Sequence, residues 1–231
     1  MTAEAREALT RQMLRSVVGA ARDSGSVGAV VVVSPDPAVL AIARSLGPGV
    51  VALPQGPLPP GAAGLEAGLN AAVVQGRDWA AGHAAAALLM LFGDLPLLTA
   101  DDVRNLVRRD APVVLAPDRH GTGTNALLLR LGELNGSGAP SGPFRFAFGA
   151  GSYARHVDEA HRLGLEVTTT VMPGTAFDLD TPADWRRLVG AGWVVVDGGW
   201  VRGDGEAAEA RSALAPSGRS RTGGRHPVPA P

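Results

Sequence analysis

The sequence predicts an α/β domain, a three-layer sandwich around a mostly parallel sheet. Short aliphatic and β-branched runs alternate with helix-patterned segments along the chain. Glycine, proline and aspartate punctuate the joins. With 231 residues, 45% of them hydrophobic, the chain can bury one sizeable core.

Thr2 to Arg22 carries Leu9, Met13, Val17 and Ala20 at helical spacing and reads as an amphipathic helix. Ala29 to Val33 is a β-branched run stopped by Ser34-Pro35-Asp36-Pro37, a buried strand. A helix over Ala38 to Leu46 ends at Gly47-Pro48-Gly49, and Val50 to Leu53 is a second strand. After the Gly/Pro-rich stretch Pro54 to Gly64, a helix covers Leu65 to Gln75. Ala86 to Phe92 is the strongest strand candidate. Thr99 is a good N-cap, with Asp101 and Asp102 at the positive end of the helix it opens. Pro112 to Ala116 and Asn125 to Arg130 read as strands, Leu134 to Pro143 as a polar loop. A helix over Tyr153 to Leu163 stops at Gly164; Glu166 to Val171 and Phe177 to Asp180 are further strands. From about Asp197 the composition turns to Gly, Ala, Ser, Arg and Pro, so residues 1–196 are read as the domain and 197–231 as a disordered tail.

Composition excludes several function classes. A formal net charge of -1 gives no basis for a general nucleic-acid or membrane surface. There is no cysteine, hence no disulfide, thiolate zinc site or cysteine nucleophile. There is no lysine either, which rules out a Walker A loop and Schiff-base chemistry. The charged, helix-patterned N-terminus is no signal peptide, and Ala84 to Phe92 falls far short of the roughly 20 residues of a membrane span. A cytoplasmic setting is expected.

Four sites carry candidate chemistry. Asp94, in Gly93-Asp94-Leu95-Pro96-Leu97-Leu98, lies just past a very apolar strand, where open parallel sheets bind ligands and where an aspartate can hold a hard cation. In Phe177-Asp178-Leu179-Asp180, strand periodicity puts Asp178 and Asp180 on one face, an arrangement that favours a cation between them. The Thr181-Pro182-Ala183-Asp184 that follows is a helix start. In Ala116 to Leu127, Gly121 and Gly123 permit close backbone approach to a ligand, and Arg119 suits a phosphate or carboxylate. In Phe148-Gly149-Ala150-Gly151-Ser152-Tyr153, helix-start amides form an anion site; taken locally, Ser152 also fits a plain N-cap. His156 and His161, five apart, share no helical face and read as surface residues. Three acids plus anion-holding glycine loops point to phosphates and a divalent cation, magnesium.

Taken in order, these sites resemble the CofC/FbiD-type guanylyltransferases of coenzyme F-420 (deazaflavin) biosynthesis, over about residues 3 to 188. The Gly93–Leu98 motif is common to many nucleotidyltransferases; Ala116–Leu129, Phe148–Ser152 and Phe177–Pro182 are more specific. The resemblance implies a Rossmann-like nucleotidyltransferase fold, similar to glycosyltransferase A folds. It implies transfer of GMP from GTP to the phosphate of phosphoenolpyruvate or 2-phospho-L-lactate, with release of pyrophosphate. It makes Asp94, Asp178 and Asp180 the catalytic Mg2+ ligands and has Thr124, Gly149 and Ser152, with Arg119, hold the acid. Glu66 and Asn70, in the segment Glu66 to Ala71, would lie beside the guanine nucleotide. The partners implied are small molecules, not nucleic acid or membrane, and a homodimer is left open. The family begins with an apolar strand and a Gly/Pro/Lys/Arg-rich triphosphate loop, whereas this sequence starts in the helix that follows them. The expectation is therefore an upstream extension of about one strand and one loop. Two other readings stand beside this one: a molybdopterin or sugar-phosphate nucleotidyltransferase, and a truncated non-catalytic paralogue.

Overall fold

The computed structural model describes residues 2–132, 142–196, 199–202 and 224–226. Most of the expected Leu134 to Pro143 loop, and most of the segment after 197, lie outside these residues.

The chain opens with helix α1 (Ala3–Asp23), capped by Thr2, whose hydroxyl accepts from the Ala5 amide. Strands β1 (Val30–Ser34) and β2 (Val50–Pro54) flank α2 (Pro37–Ser45) and pair in parallel, as a helical crossover requires. Helix α3 runs Leu65–Gly82, a good deal beyond the expected end at Gln75. Gly76, inside it, allows close approach to β1: a Cβ there would stand 3.7 Å from a Val33 methyl. Strand β3 (Ala87–Leu91) leads through the Asp94 turn to α4 (Ala100–Val107), which opens with a capping box between Thr99 and Asp102.

β4 (Val113–Pro117) and β5 (Thr124–Arg130) form an antiparallel hairpin. This departs from the expected parallel arrangement for a simple reason. The join between them is a short turn with no helix in it, too short for a parallel crossover. β5 inserts between β3 and β4 and runs against both, while β6 (Val167–Thr169) returns parallel to β4 after α5 (Ser152–Arg162). The expected strand at Phe177 to Asp180 is not a strand; a single turn, α6 (Pro173–Ala176), leads into irregular chain there. Helix α7 (Pro182–Gly190) starts with the anticipated Thr181/Asp184 capping box. Order continues past the expected boundary at 196: β7 (Trp193–Val196) pairs with β8 (Gly199–Arg202), and β9 (Gly224–His226) adds to β6. No helix among the described residues is long and apolar enough to cross a membrane.

Three layers result. Period-two alternation sends Leu88, Met90, Val113, Leu115, Leu127 and Leu129 to a core with α3 and α5. It sends Leu89, Leu91, Val114, Ala116 and Leu128 to the other face, against α1, α4 and the Met172 turn. The sheet is nevertheless in two main pieces. β1–β2 is separate from the order β3-β5-β4-β6-β9, and among the described residues β1 and β3 each pair along one edge only. α1 roofs both pieces, with Leu14 and Val18 against the β1 side and Val17 and Ala20 against the β3 side. α3 spans them on the opposite face. β4 and β5 are buried almost throughout, whereas Val30–Val33 and Ala87–Leu91 are only half-buried.

Leu88 and Leu129 are cross-strand partners on one face, the first half-buried and the second fully buried. Leu129→Ala is expected to cost about 3–4 kcal/mol in urea unfolding, and Leu88→Ala about half of that. Equal losses would mean that the β3 edge is as well covered as the centre of the sheet.

Candidate functional site

A cavity of about 280 Å³ opens at the end of the sheet where β3, the β4–β5 turn, the start of α5 and the segment after α6 meet. Asp94, Thr124, Gly149, Ser152, Asp178 and Asp180, drawn from all four candidate motifs, line it.

The two acidic motifs are joined through the backbone. The Leu179 amide donates to the Asp94 carbonyl at 3.0 Å, so Asp178 and Asp180, on either side of Leu179, flank Asp94 without any strand being formed. Asp94 Oδ1 is buried without a hydrogen-bond partner. Burial first, then the nearby Asp180 carboxylate, push the Asp94 carboxyl up to about 6. Asp178 is also held above its ordinary range, by burial and by Asp180, against its own backbone amide and Arg119. Four aspartates and no arginine line the cavity, Asp118 being the fourth. Among the described residues, no three ligating side chains are already drawn together as a metal cluster. Yet crowded, partly desolvated carboxylates with an orphaned oxygen are a donor set that suits a hard divalent cation, and Asp94, Asp178 and Asp180 are the residues that could hold it.

Arg119 does not face the cavity. Its fork engages protein carboxylates, with Nη1 2.8 Å from Asp178 Oδ1 and Nη2 2.5 Å from Asp184 Oδ1, and it lies over the Phe177 ring. It fixes Asp178 and ties α7 to the site, and both of its Nη atoms donate to protein carboxylates.

Glu66 and Asn70, expected beside the guanine nucleotide, hold the backbone of the loop before α5. The Asn70 carboxamide accepts from the Phe148 amide at 2.8 Å and donates to its carbonyl at 3.0 Å, and Glu66 Oε1 accepts from the Ala150 amide at 3.1 Å. α3 thereby clamps the glycine loop from outside. Gly149 has φ 122°, and a Cβ on it would lie 2.3 Å from the Glu66 carboxyl, so only glycine fits.

The start of α5 differs from the expected plain Ser152 N-cap. Gly151 is the N-cap, in a left-handed conformation, and Ser152 is the first helical residue. The Ser152 and Tyr153 amides donate to the Gly149 and Thr122 carbonyls, so with Ala150 three of the loop amides are engaged within the protein. Ser152 Oγ instead accepts from the Thr124 amide at 2.9 Å. Thr124 and Ser152 are both almost wholly buried where they line the cavity. Asp118 shapes the neighbouring turn by accepting from the His120 and Thr122 amides. His156, expected at the surface, is fully buried, and its ring contacts Thr124 and the Ala147 amide. A polar residue on the inner face of a strongly amphipathic helix was the only sequence signal for it.

Comparison with known proteins agrees with this layout. Residues 1–192 match the family model described as guanylyl transferase CofC like. A phosphoenolpyruvate guanylyltransferase of Rubrobacter xylanophilus is 44% identical over 195 residues, covering 82% of this chain and 83% of that protein. One of Sphaerobacter thermophilus is 41% identical, covering 80% of this chain and 81% of its own length. One of Chloroflexus aggregans is 38% identical over 81% of this chain and 86% of its own.

The raised Asp94 pKa has a thermal consequence. As pH rises from 3.8 through about 6, the folded state keeps a proton that the unfolded state releases, so this group's contribution to stability falls. Asp94→Asn should therefore match the native protein in melting temperature at the acid end of that window and exceed it above the window. Millimolar Mg2+ should raise the native Tm above the window and leave the Asn variant's nearly unchanged. A Tm difference independent of pH and of Mg2+ would contradict the crowding.

Proposed function

The chain belongs to the CofC-like guanylyltransferase family, and from that premise we propose that it transfers GMP from GTP to the phosphate of phosphoenolpyruvate, or of the closely similar 2-phospho-L-lactate, in the cytoplasm, for coenzyme F-420 biosynthesis. The observation that carries the reading is the meeting of three aspartates from two separate motifs with Thr124, Gly149 and Ser152 around one cavity. The names borne by the relatives supply the acceptor.

The chemistry is a substitution at phosphorus. An oxygen of the acid's phosphate forms a bond to the α-phosphorus of GTP, the bond from that phosphorus to the bridging oxygen breaks, and pyrophosphate leaves. The attacking oxygen is already ionised near neutral pH, so no residue need act as a base. What the protein must overcome is repulsion, because two polyanions are to meet in a cavity lined by four aspartates. Mg2+ held by Asp94, Asp178 and Asp180 would supply the compensating charge and polarise the transferred phosphoryl group. Arg119 opposes part of the upward push on the Asp178 carboxyl and keeps it aimed. The Thr124 and Ser152 hydroxyls serve the phosphorylated acid, beside the Gly149 backbone that lines the same cavity. Fixing both reactants on one rigid floor supplies orientation.

Among the described residues, β1 and β3 each have an open edge under helices α1 and α3, and an extended segment seated between them would join the two sheets into one. Such a strand would bury the half-covered valines and leucines on either side.

The test is release of pyrophosphate from GTP and phosphoenolpyruvate, with ATP, CTP and UTP in parallel. GTP alone should serve, and Asp94→Asn, Asp178→Asn and Asp180→Asn should each lower kcat by roughly two orders of magnitude or more while unfolding stays cooperative. Ser152→Ala should raise the KM of the acid and leave that of GTP nearly unchanged. Preference for CTP or UTP would assign the chain a different nucleotide chemistry. Failure to bind any nucleotide by an intact fold would mark a non-catalytic protein.

A further inference from the structure

The phosphorylated-acid end of the cavity has to offer hydrogen-bond donors to oxyanions, yet the Ala150, Ser152 and Tyr153 amides are engaged by Glu66, Gly149 and Thr122. Of the lining side chains that can donate, Thr122 and Asn125 already donate to Asp118 and to the Thr175 carbonyl; the other two are the hydroxyls of Thr124 and Ser152. A hydroxyl can give or accept, so its usefulness to an anion depends on what its other neighbours demand of it.

Those neighbours form a directed chain. The Ala147 amide lies 3.1 Å from His156 Nε2. A backbone N–H can only donate, so Nε2 must be the unprotonated nitrogen. The ring is fully buried, edge-on to Phe148 at 4.5 Å, and burial together with Arg155 lowers its pKa to about 4; it is neutral, with its one proton on Nδ1. Nδ1 lies 3.0 Å from Thr124 Oγ1 and donates to it. Having accepted there, the Thr124 hydroxyl keeps its own proton for a further partner. The Thr124 amide in turn donates to Ser152 Oγ at 2.9 Å, which biases the second hydroxyl the same way. Both biased hydroxyls belong to residues lining the cavity.

We propose that His156 is a positioning residue of the acid subsite. By donating from Nδ1 to Thr124 it sets the Thr124 hydroxyl as a donor, so that this end of the cavity accepts carboxylate and phosphate oxygens and disfavours groups that must themselves donate. This rests on the reading that Thr124 and Ser152 hold the phosphorylated acid.

Two substitutions separate the ring's two nitrogens. His156→Gln can place an acceptor near the Nε2 position for Ala147 and offers no donor to Thr124. His156→Asn can place a donor near the Nδ1 position and leaves the Ala147 amide unmet. Calorimetry on the full chain with Mg2+ gives Kd for phosphoenolpyruvate and, separately, for GTP. His156→Gln should weaken phosphoenolpyruvate binding about tenfold and leave GTP within about twofold, while His156→Asn should recover most of the acid affinity. In a Thr124→Val background, His156→Gln should add no further loss. Ring 15N shifts of the ligand-free native protein should report an Nδ1–H tautomer.

Equal weakening of both ligands by both His156 variants would show a purely structural histidine and overturn the proposal. So would an Nε2–H or doubly protonated ring, or losses from Thr124→Val and His156→Gln that simply add. If Thr124→Val leaves phosphoenolpyruvate affinity unchanged while the Nδ1–H tautomer is observed, the assignment of the subsite fails instead, and the proposed function of His156 goes with it.

Discussion

The clamp on the loop from Phe148 to Ser152 is the constraint from which the acid side of the cavity is built. Asn70 reads both polar groups of the Phe148 backbone, as a neighbouring strand would, and Glu66 occupies the place of a Gly149 side chain while holding Ala150. A free glycine-rich segment would lose considerable entropy on ordering. Here the loop is held from outside by α3 and from beneath by Phe146, Phe148 and the aliphatic face of β4 and β5. The start of α5 follows from its position, and with it Ser152 and the buried ring of His156. α3 is thus a scaffold for a site to which it contributes one lining residue, Leu69.

The other side of the cavity is organised by an unfavourable term. β3 is all aliphatic, and it delivers Asp94 into a place where its carboxylate is buried beside Asp180 with one oxygen unmet. Nothing in the fold requires that crowding; a neutral residue would be more stable there. Arg119 relieves it only in part, since it faces Asp178 and Asp184 from behind the cavity wall. Strain concentrated at one end of an otherwise well-packed sheet marks the place where binding, not folding, sets the choice of residue.

Much of this was legible in the chain. Alternating runs place nearly every helix and strand, and the cap signals at Thr99 and Thr181 open helices with capping boxes on both. What escaped depends on contacts between distant segments. The reversal of β5 follows from the length of a turn, not from residue pattern. Period-two spacing does put Asp178 and Asp180 on one side, but the chain there is irregular and is aligned by a hydrogen bond to Asp94. Arg119 has a fork suited to any oxyanion, and no local signal says that Asp178 and Asp184, about sixty residues on, take it up. Nothing local to Glu66 and Asn70 says that their polar atoms hold a loop 78 or more residues away. His156 reads as a surface histidine because burial of a polar ring needs partners, and those partners are Thr124 and the Ala147 amide.

The division of the sheet has a bearing on cooperativity. The segment β1–α2–β2 is contiguous in sequence and, among the described residues, pairs only within itself and is attached to the remainder through side chains of α1 and α3 with no shared ladder. Backbone amides of Val30–Ser34 and Val50–Pro54 are therefore shielded by a unit that can open without breaking the five-stranded sheet. In amide hydrogen exchange this segment would form its own class, faster than β4 and β5. Any occupant that bridged the two open edges would merge the classes, turning two local unfolding events into one.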